Sequence, residues 1–319
     1  MSVDMPLEKL RAYRGRNPRP EDFDEFWDAS LAELYTVDPA PTFEPVEFPS
    51  AIAECYHLTF TSTKGARIYA KFMRPKNPQG KCPAVLMFHG FGAMSGSWRS
   101  LLSLVSQGYI VAMMDCRGQG GRSQDVGGTV GTTLPASPFI IGVDGPAKDM
   151  LARQIFLDTA QLARVVMDLD YVDETRVATS GGSQGGALAL ICAALVPSIK
   201  LCTAAHPFYS DYLRVWEMER DSGPYEGMRY YFRHFDPMHE REDEFFRKLG
   251  YVDTQFFAPR VRAKVLMATG LRDTMCPPST QFAVYNKLTC EKEFLFYPEY
   301  AHEVLEGYED IVFRFLAAL

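Results

Sequence analysis

The sequence predicts an α/β protein in which a mostly parallel sheet is covered by helices on both faces. Three observations carry this. Short apolar runs alternate with longer helical patterns from residue 84 to the end of the 319-residue chain, the order that generates a parallel sheet with crossover helices. Ala84-Val85-Leu86-Met87-Phe88 is continuously apolar, as a strand buried on both faces must be. Gly181-Gly182-Ser183-Gln184-Gly185-Gly186 follows the run Thr175–Thr179 and precedes a small-residue helix, Ala187–Leu195. Strand, tight glycine turn, serine and helix together form the context of a nucleophile on a strained turn.

The elements follow in order. Pro20 can open a helix, and Phe23, Phe26, Trp27, Leu31 and Leu34 recur at helical spacing. They define an N-terminal helical extension over about 18–36. Cys55–Ser62 and Arg67–Arg74 read as strands joined by a hairpin turn at Lys64-Gly65. After the apolar strand come a helix at Trp98–Ser106, a strand at Ile110–Met114, and a long helix at Met150–Leu169. Val177–Ser180 and Leu201–Ala205 are strands on either side of the small-residue helix. Val265–Thr269 and Phe294–Tyr297 are strands separated by a helix at Pro277–Leu288, and Glu303–Leu316 closes the chain as a helix. Residues 211–261 break the alternation; their aromatic and charged composition predicts a helical, cap-like insertion over the C-terminal edge of the sheet. The whole chain, 1–319, is expected to form one domain.

Composition narrows the function. Hydrophobic residues make up 47% and charged residues 23%, enough apolar material for a large soluble core. A formal net charge of -7 without basic runs argues against nucleic acid or an anionic membrane as partner. The first ten residues carry no apolar signal core, and Ala187–Pro197 is too short to span a bilayer. Seven cysteines without C-x-x-C spacing read as reduced, mostly buried thiols of a cytoplasmic protein, and no Cys/His cluster has zinc-ligand spacing. Gly118-Gln119-Gly120-Gly121 does not complete a dinucleotide-binding fingerprint, and there is no phosphate-binding P-loop. The charged stretch His239–Glu244 reads as a solvated helix surface.

Ser183 is the candidate nucleophile, and a serine hydroxyl needs a base to remove its proton as it attacks. His302, in the loop after the last strand, is the candidate base, and Asp273, at the end of Val265–Thr269, the candidate acid that holds the imidazole. Asp253 and Asp236 are rivals for the acid, but both fall in the insertion. His89 is read as shaping its own loop; His57, His206, His234 and His239 are assigned to packing or surface. The backbone N–H groups of Gln184, which follows the nucleophile, and of Phe91, in His89-Gly90-Phe91-Gly92, are the expected oxyanion donors. One such donor contributes about 3–4 kcal/mol to the transition state.

Taken together, Arg117-Gly118-Gln119-Gly120, Gly181–Gly186, His302-Glu303 and the stretch Gly270–Thr280 resemble the signatures of carbohydrate esterase family 7, the acetyl xylan esterases and cephalosporin C deacetylases. The resemblance implies an α/β-hydrolase fold and hydrolysis of small acetyl esters, on short xylo-oligosaccharides and at the acetoxymethyl group of cephalosporins. It also implies an intracellular enzyme needing no cofactor or metal, assembled as a homo-hexamer. By motif it assigns Ser183, Asp273 and His302 to the triad, and Gln184 and Phe91 to the oxyanion hole. Phe91 and Pro207 match positions at the acyl pocket, and Arg117 and Gln119 a motif of structural character. The chain departs from the family pattern at Phe91, where a tyrosine is usual, over Ile140–Ala147, and around His206 and Tyr209. Two alternatives remain: a prolyl-oligopeptidase-like peptidase or broad esterase, and a non-catalytic relative that binds a small ligand.

Overall fold

The computed structural model describes residues 3–126, 137–220 and 222–319. Two helices open the chain, α1 (Leu7–Ala12) and α2 (Phe23–Tyr35). Three strands follow, β1 (Thr42–Val46), β2 (Ala53–Thr61) and β3 (Arg67–Pro75), and then the alternating part: β4 (Cys82–Phe88), α3 (Trp98–Val105), β5 (Ile110–Met114), α4 (Leu151–Met167), β6 (Val172–Gly182), α5 (Gln184–Leu195) and β7 (Leu201–Ala205). The inserted region supplies α6 (Tyr212–Glu217), α7 (Glu226–Phe235), α8 (Glu242–Leu249) and α9 (Thr254–Phe257). The chain ends with β8 (Lys264–Gly270), α10 (Pro278–Tyr285), β9 (Lys292–Tyr297) and α11 (Tyr308–Leu316).

Among the described residues nine strands form one sheet in the order β1-β2-β3-β5-β4-β6-β7-β8-β9. The strands from β5 to β9 in that order are mutually parallel, and β1–β3 form an antiparallel edge. This is the predicted mostly parallel sheet of an α/β hydrolase, with helices on both faces. The hairpin between β2 and β3 turns at Lys64, whose φ of 56° is left-handed, followed by Gly65 at 74°.

Three differences from the sequence expectation have physical causes. β1 escaped the sequence reading because it is short, exposed and carries Pro45, which cannot donate to a ladder. An edge strand tolerates that, since only one side of it is paired. The last helix begins at Tyr308 rather than Glu303, because the chain first runs through a loop that ends at Gly307 with φ 73°. And α4 presents no solvated face. Apart from Arg164, all residues from Leu151 to Val166 are buried, since α2 lies over the side turned away from the sheet. Trp27 of α2 stacks on Phe156 at 6.0 Å and meets Phe257 edge-on at 4.8 Å. The buried charged residues of α4 are correspondingly paired: Arg153 donates to Ser30 and to Glu33, and Asp158 receives Arg117.

The six parallel strands end toward the same edge, and five of the loops that follow them each deliver one group: Gly90 after β4, Ser183 after β6, His206 after β7, Asp273 after β8 and His302 after β9. Ligands of open parallel sheets bind at this carboxyl edge, where the order reverses around the first strand. Here the reversal lies at β4, flanked by β5 and β6.

Candidate active site

Ser183 sits between β6 and α5 with φ 57° and ψ -122°, a conformation that costs a non-glycine residue about 1–3 kcal/mol. The surroundings hold it there. Its N–H donates to the Ala205 carbonyl at 2.8 Å, and its own carbonyl accepts from Ala187 at 3.1 Å and Phe208 at 3.1 Å. The crossing is tight enough that a Cβ on Gly185 would lie 2.0 Å from the Phe88 carbonyl oxygen, so only glycine lets α5 approach β4.

The side chains predicted to act together do meet. His302 Nε2 lies 3.0 Å from Ser183 Oγ, and its Nδ1 lies 2.8 Å from Asp273 Oδ2. Asp273 is fully buried, and its other oxygen accepts from the backbone of Met275 and Cys276 at 2.9 and 2.8 Å. Burial pushes its carboxyl up. The contacts with His206 and His302 and the Cys276 N–H more than reverse this and hold it below the ordinary carboxylate range. Asp273 is thus an anion aimed at His302. The rival carboxylates do other work: Asp236 accepts from the backbone of Glu240 and Arg241, and Asp253 from Asp211 and Gln255.

Gln184 opens α5, so its N–H is among the helix-terminal donors without an intrahelical acceptor. The loop after β4 lies alongside: a Cβ built on Gly90 would stand 3.9 Å from that of Ser183. His89 fixes the start of this loop. Its Nδ1 pairs with the Gly90 carbonyl at 2.8 Å and its Nε2 accepts from Cys116 N–H at 2.9 Å. Burial depresses its basicity, which suits a neutral imidazole with one donor and one acceptor. Gln119 joins the loop after β4 to the start of α5. Its Oε1 accepts from Gly92 N–H at 2.9 Å, and its amide pairs with that of Gln184 at 2.8 and 3.0 Å. The Gln184 amide also receives the hydroxyl of buried Tyr209 at 2.7 Å.

His206, assigned to packing or surface by its sequence context, stands within the site. Its Nδ1 lies 3.0 Å from Asp273 Oδ2, and its ring centroid 5.1 Å from that of His302. Its place directly after the strand Leu201–Ala205 was the one local signal; the parallel pairing of β7 with β8 is what brings the two strand ends together. His206, Asp273 and His302 present ligand-type atoms within 4.8 Å of one another, the one such group found among the described residues. Those atoms are directed at each other and at Ser183.

The loop that carries His206 is anchored from the N-terminal segment. Asp211, fully buried, accepts from Tyr13 Oη and from the backbone of Arg16 and Asn17 at 2.7, 2.7 and 2.8 Å. Its own N–H donates to Asp253 Oδ2 at 2.9 Å. Burial, then the Asp211 charge, push the Asp253 carboxyl up to about 7, against the bonds from Gln255 and Asp211. The folded protein therefore keeps a proton that the unfolded chain releases near its ordinary value of about 4, and between these values stability falls as pH rises. Asp253→Asn removes that titration. The stability difference, wild type minus variant, should decline across about pH 4 to 8 in urea unfolding; a constant difference would mean that Asp253 is ionised in the folded protein throughout.

A cavity of about 550 Å³ opens beside Ser183. Ser183, His206 and His302 stand at one end, and Met87, Leu104, Met113, Val312 and Phe313 line an apolar stretch between α3 and α11. Phe91 is half-buried and Pro207 buried, and neither lines this cavity, nor does any described residue of 211–261. Those inserted segments pack instead on α4, α5 and α10.

Comparison with known proteins adds the following. A family model described as acetyl xylan esterase (AXE1) matches residues 1–319. The chain is 27% identical to the acetyl esterase Axe7A of Xylanibacter ruminicola over 307 residues, 95% of this chain and 67% of that one. Among solved structures it superposes on acetyl xylan esterase 1 from Thermoanaerobacterium sp. with a TM-score of 0.97 at 50% identity, covering 99% of both chains. The acetyl xylan esterase of Paenibacillus sp. R4 gives 0.94 at 33% identity, covering 98% of this chain and 99% of that one.

Proposed function

The chain belongs to the acetyl xylan esterase family and is a carboxylic ester hydrolase acting on acetyl esters, and we propose that it does so through Ser183, His302 and Asp273. The observation that carries this reading is the unbroken line from Ser183 Oγ through the His302 ring to Asp273, at 3.0 and 2.8 Å. Ser183 Oγ attacks the acetyl carbonyl carbon while His302 Nε2 takes its proton. Asp273 holds the Nδ1–H tautomer and stabilises the imidazolium that forms. The oxyanion is received by the N–H groups of Gln184 and Phe91. His302 then returns the proton to the departing alcohol oxygen. In the second half water gives a proton to His302 and attacks the acetyl-enzyme, and Ser183 leaves with that proton.

The substrates we assign are acetylated xylo-oligosaccharides and acetyl esters of the cephalosporin C type; the family motif is what assigns Phe91 and Pro207 to the acetyl group, since neither lines the cavity beside Ser183. Two relatives at 50% and 33% identity are themselves acetyl xylan esterases, which supports the first of these. We further assign a homo-hexamer, tested by light scattering, and a cytoplasmic location, which the seven unpaired cysteines support. Among the described residues no helix is long and apolar enough to cross a membrane.

A second reading has its own observation. The apolar 550 Å³ cavity at Ser183 is far larger than an acetyl group needs and suits longer acyl chains. Hydrolysis of p-nitrophenyl acetate, butyrate and octanoate separates the two. Each misfitting methylene changes specificity by about 10–200-fold when contact energy alone decides. The acetyl reading expects kcat/KM to fall steeply from acetate to butyrate, with turnover of acetylated xylo-oligosaccharides and cephalosporin C alongside. Equal or rising kcat/KM toward octanoate would give the cavity to the acyl chain and make the protein a broad esterase.

A further inference from the structure

Two histidines, not one, converge on the acid. His302 reaches Asp273 Oδ2 from the loop after β9, and His206 reaches the same oxygen from the end of β7, at 2.8 and 3.0 Å. The other nitrogen of His206, Nε2, lies 3.2 Å from the backbone carbonyl of Glu303, the residue next to the base. Both ring nitrogens of a side chain only 6% exposed therefore face oxygen acceptors. A neutral imidazole has one N–H and one lone pair. In either neutral tautomer a nitrogen lone pair would be pressed against an oxygen lone pair, a carboxylate in one case and a carbonyl in the other. The Gly270 N–H approaches Nδ1 at 3.5 Å, too far to offset a carboxylate at 3.0 Å. As a double donor, His206 satisfies both contacts at once. The backbone shows the same insistence on this placement: His206 holds φ 44°, and its N–H is tied to the Ala268 carbonyl at 2.8 Å.

We propose that His206 is a positioning residue, a doubly donating imidazolium that ties the carboxylate of the acid to the loop bearing the base. The inference rests on the triad reading above. The groups that face it are Asp273 from the loop after β8, His302 and the Glu303 carbonyl from the loop after β9, and Ser183 from the turn after β6. Fixing the acid relative to the base keeps His302 Nε2 aimed at Ser183, and misplacement of such groups by about 1 Å costs on the order of a hundredfold in rate.

The test is His206→Asn, since asparagine is among the residues that best tolerate a left-handed φ. Ser183→Ala is assayed beside it, with p-nitrophenyl acetate as substrate. The expected result is a fall in kcat of about tenfold to a hundredfold at unchanged KM. A residue that merely fills space would leave kcat where it is. Wild-type kcat in folded His206→Asn, with Ser183→Ala inactive, overturns this inference and leaves the triad standing. Activity in Ser183→Ala overturns the triad and the inference with it. Should His206→Asn fail to fold, His206→Gly accepts the same φ and is assayed with added imidazole. Recovery of kcat supports the proposal; a folded variant without recovery refutes it.

Discussion

Ser183→Ala is expected to lower kcat for acetyl ester hydrolysis by about a millionfold, the loss seen when a serine hydrolase is deprived of its nucleophile. The size of the effect follows from the arrangement. Removing one atom, Oγ, removes both the attacking group and the hydroxyl that donates to His302 Nε2 at 3.0 Å. Nothing else in the turn depends on that atom. The backbone bonds from Ser183 to Ala205, Ala187 and Phe208 remain, and alanine must adopt the same strained φ. The thermal midpoint should therefore stay close to that of the wild type. What survives is the oxyanion hole and substrate binding, which alone give about 10³–10⁴ over water. Asp273→Asn is expected to cost less, about 10⁴, by presenting the wrong tautomer of His302. Stopped assays with active-site titration check both. A Ser183→Ala rate within about tenfold of the wild type would remove this serine from the chemistry, since even one lost oxyanion donor costs more.

What could be read in the sequence was whatever its own neighbours determine. Gly181–Gly186 is a local object: the turn, its glycines and the helix after it lie within a dozen residues, so Ser183 declares itself. Asp273 and His302 were legible because each follows an apolar run at the carboxyl edge of a parallel sheet, which topology places near Ser183. His206 follows a strand end just as they do. Its role depends on β7 pairing beside β8 with Ala205 opposite Ala268, a long-range register that no short pattern encodes. Gln119 was legible only as part of a motif, since its partners Gly92 and Gln184 are distant in sequence. Pro45 hid an edge strand, and Gly307 postponed the last helix. The periodicity of α4 suggested one apolar face. The polar residues on its other side are buried too, and Arg153, Gln154 and Asp158 found partners far along the chain that only the fold could supply.

One of those partners sets the largest expected effect on stability. Arg117 Nε and Nη2 bind Asp158 at 2.7 and 2.5 Å, with the side chains 1% and 0% exposed. Burial pushes the Asp158 carboxyl up, and Arg117 pulls it back. Arg117→Met should cost about 3–5 kcal/mol, because it strands a carboxylate in the core rather than because the pair itself is strongly favourable. The two explanations predict different double mutants. If the penalty is the stranded charge, Arg117→Met/Asp158→Leu recovers most of the loss, since an apolar pair of similar volume is often as stable as the ion pair it replaces. The pH dependence has a definite sign. Without Arg117 the folded pKa of Asp158 moves further up, so the folded state binds a proton the unfolded chain has released. The penalty in the single variant must then grow as pH rises above about 4, and vanish from the double variant. Urea unfolding of the three proteins at acidic and neutral pH measures this; a double mutant as unstable as Arg117→Met would place the energy in the guanidinium itself. Activity adds a second readout. Arg117 leads into Gln119, whose amide ties Gly92 to Gln184. A double variant that regains stability but not kcat would show that the buried pair sets the position of the oxyanion donors as well as holding the core.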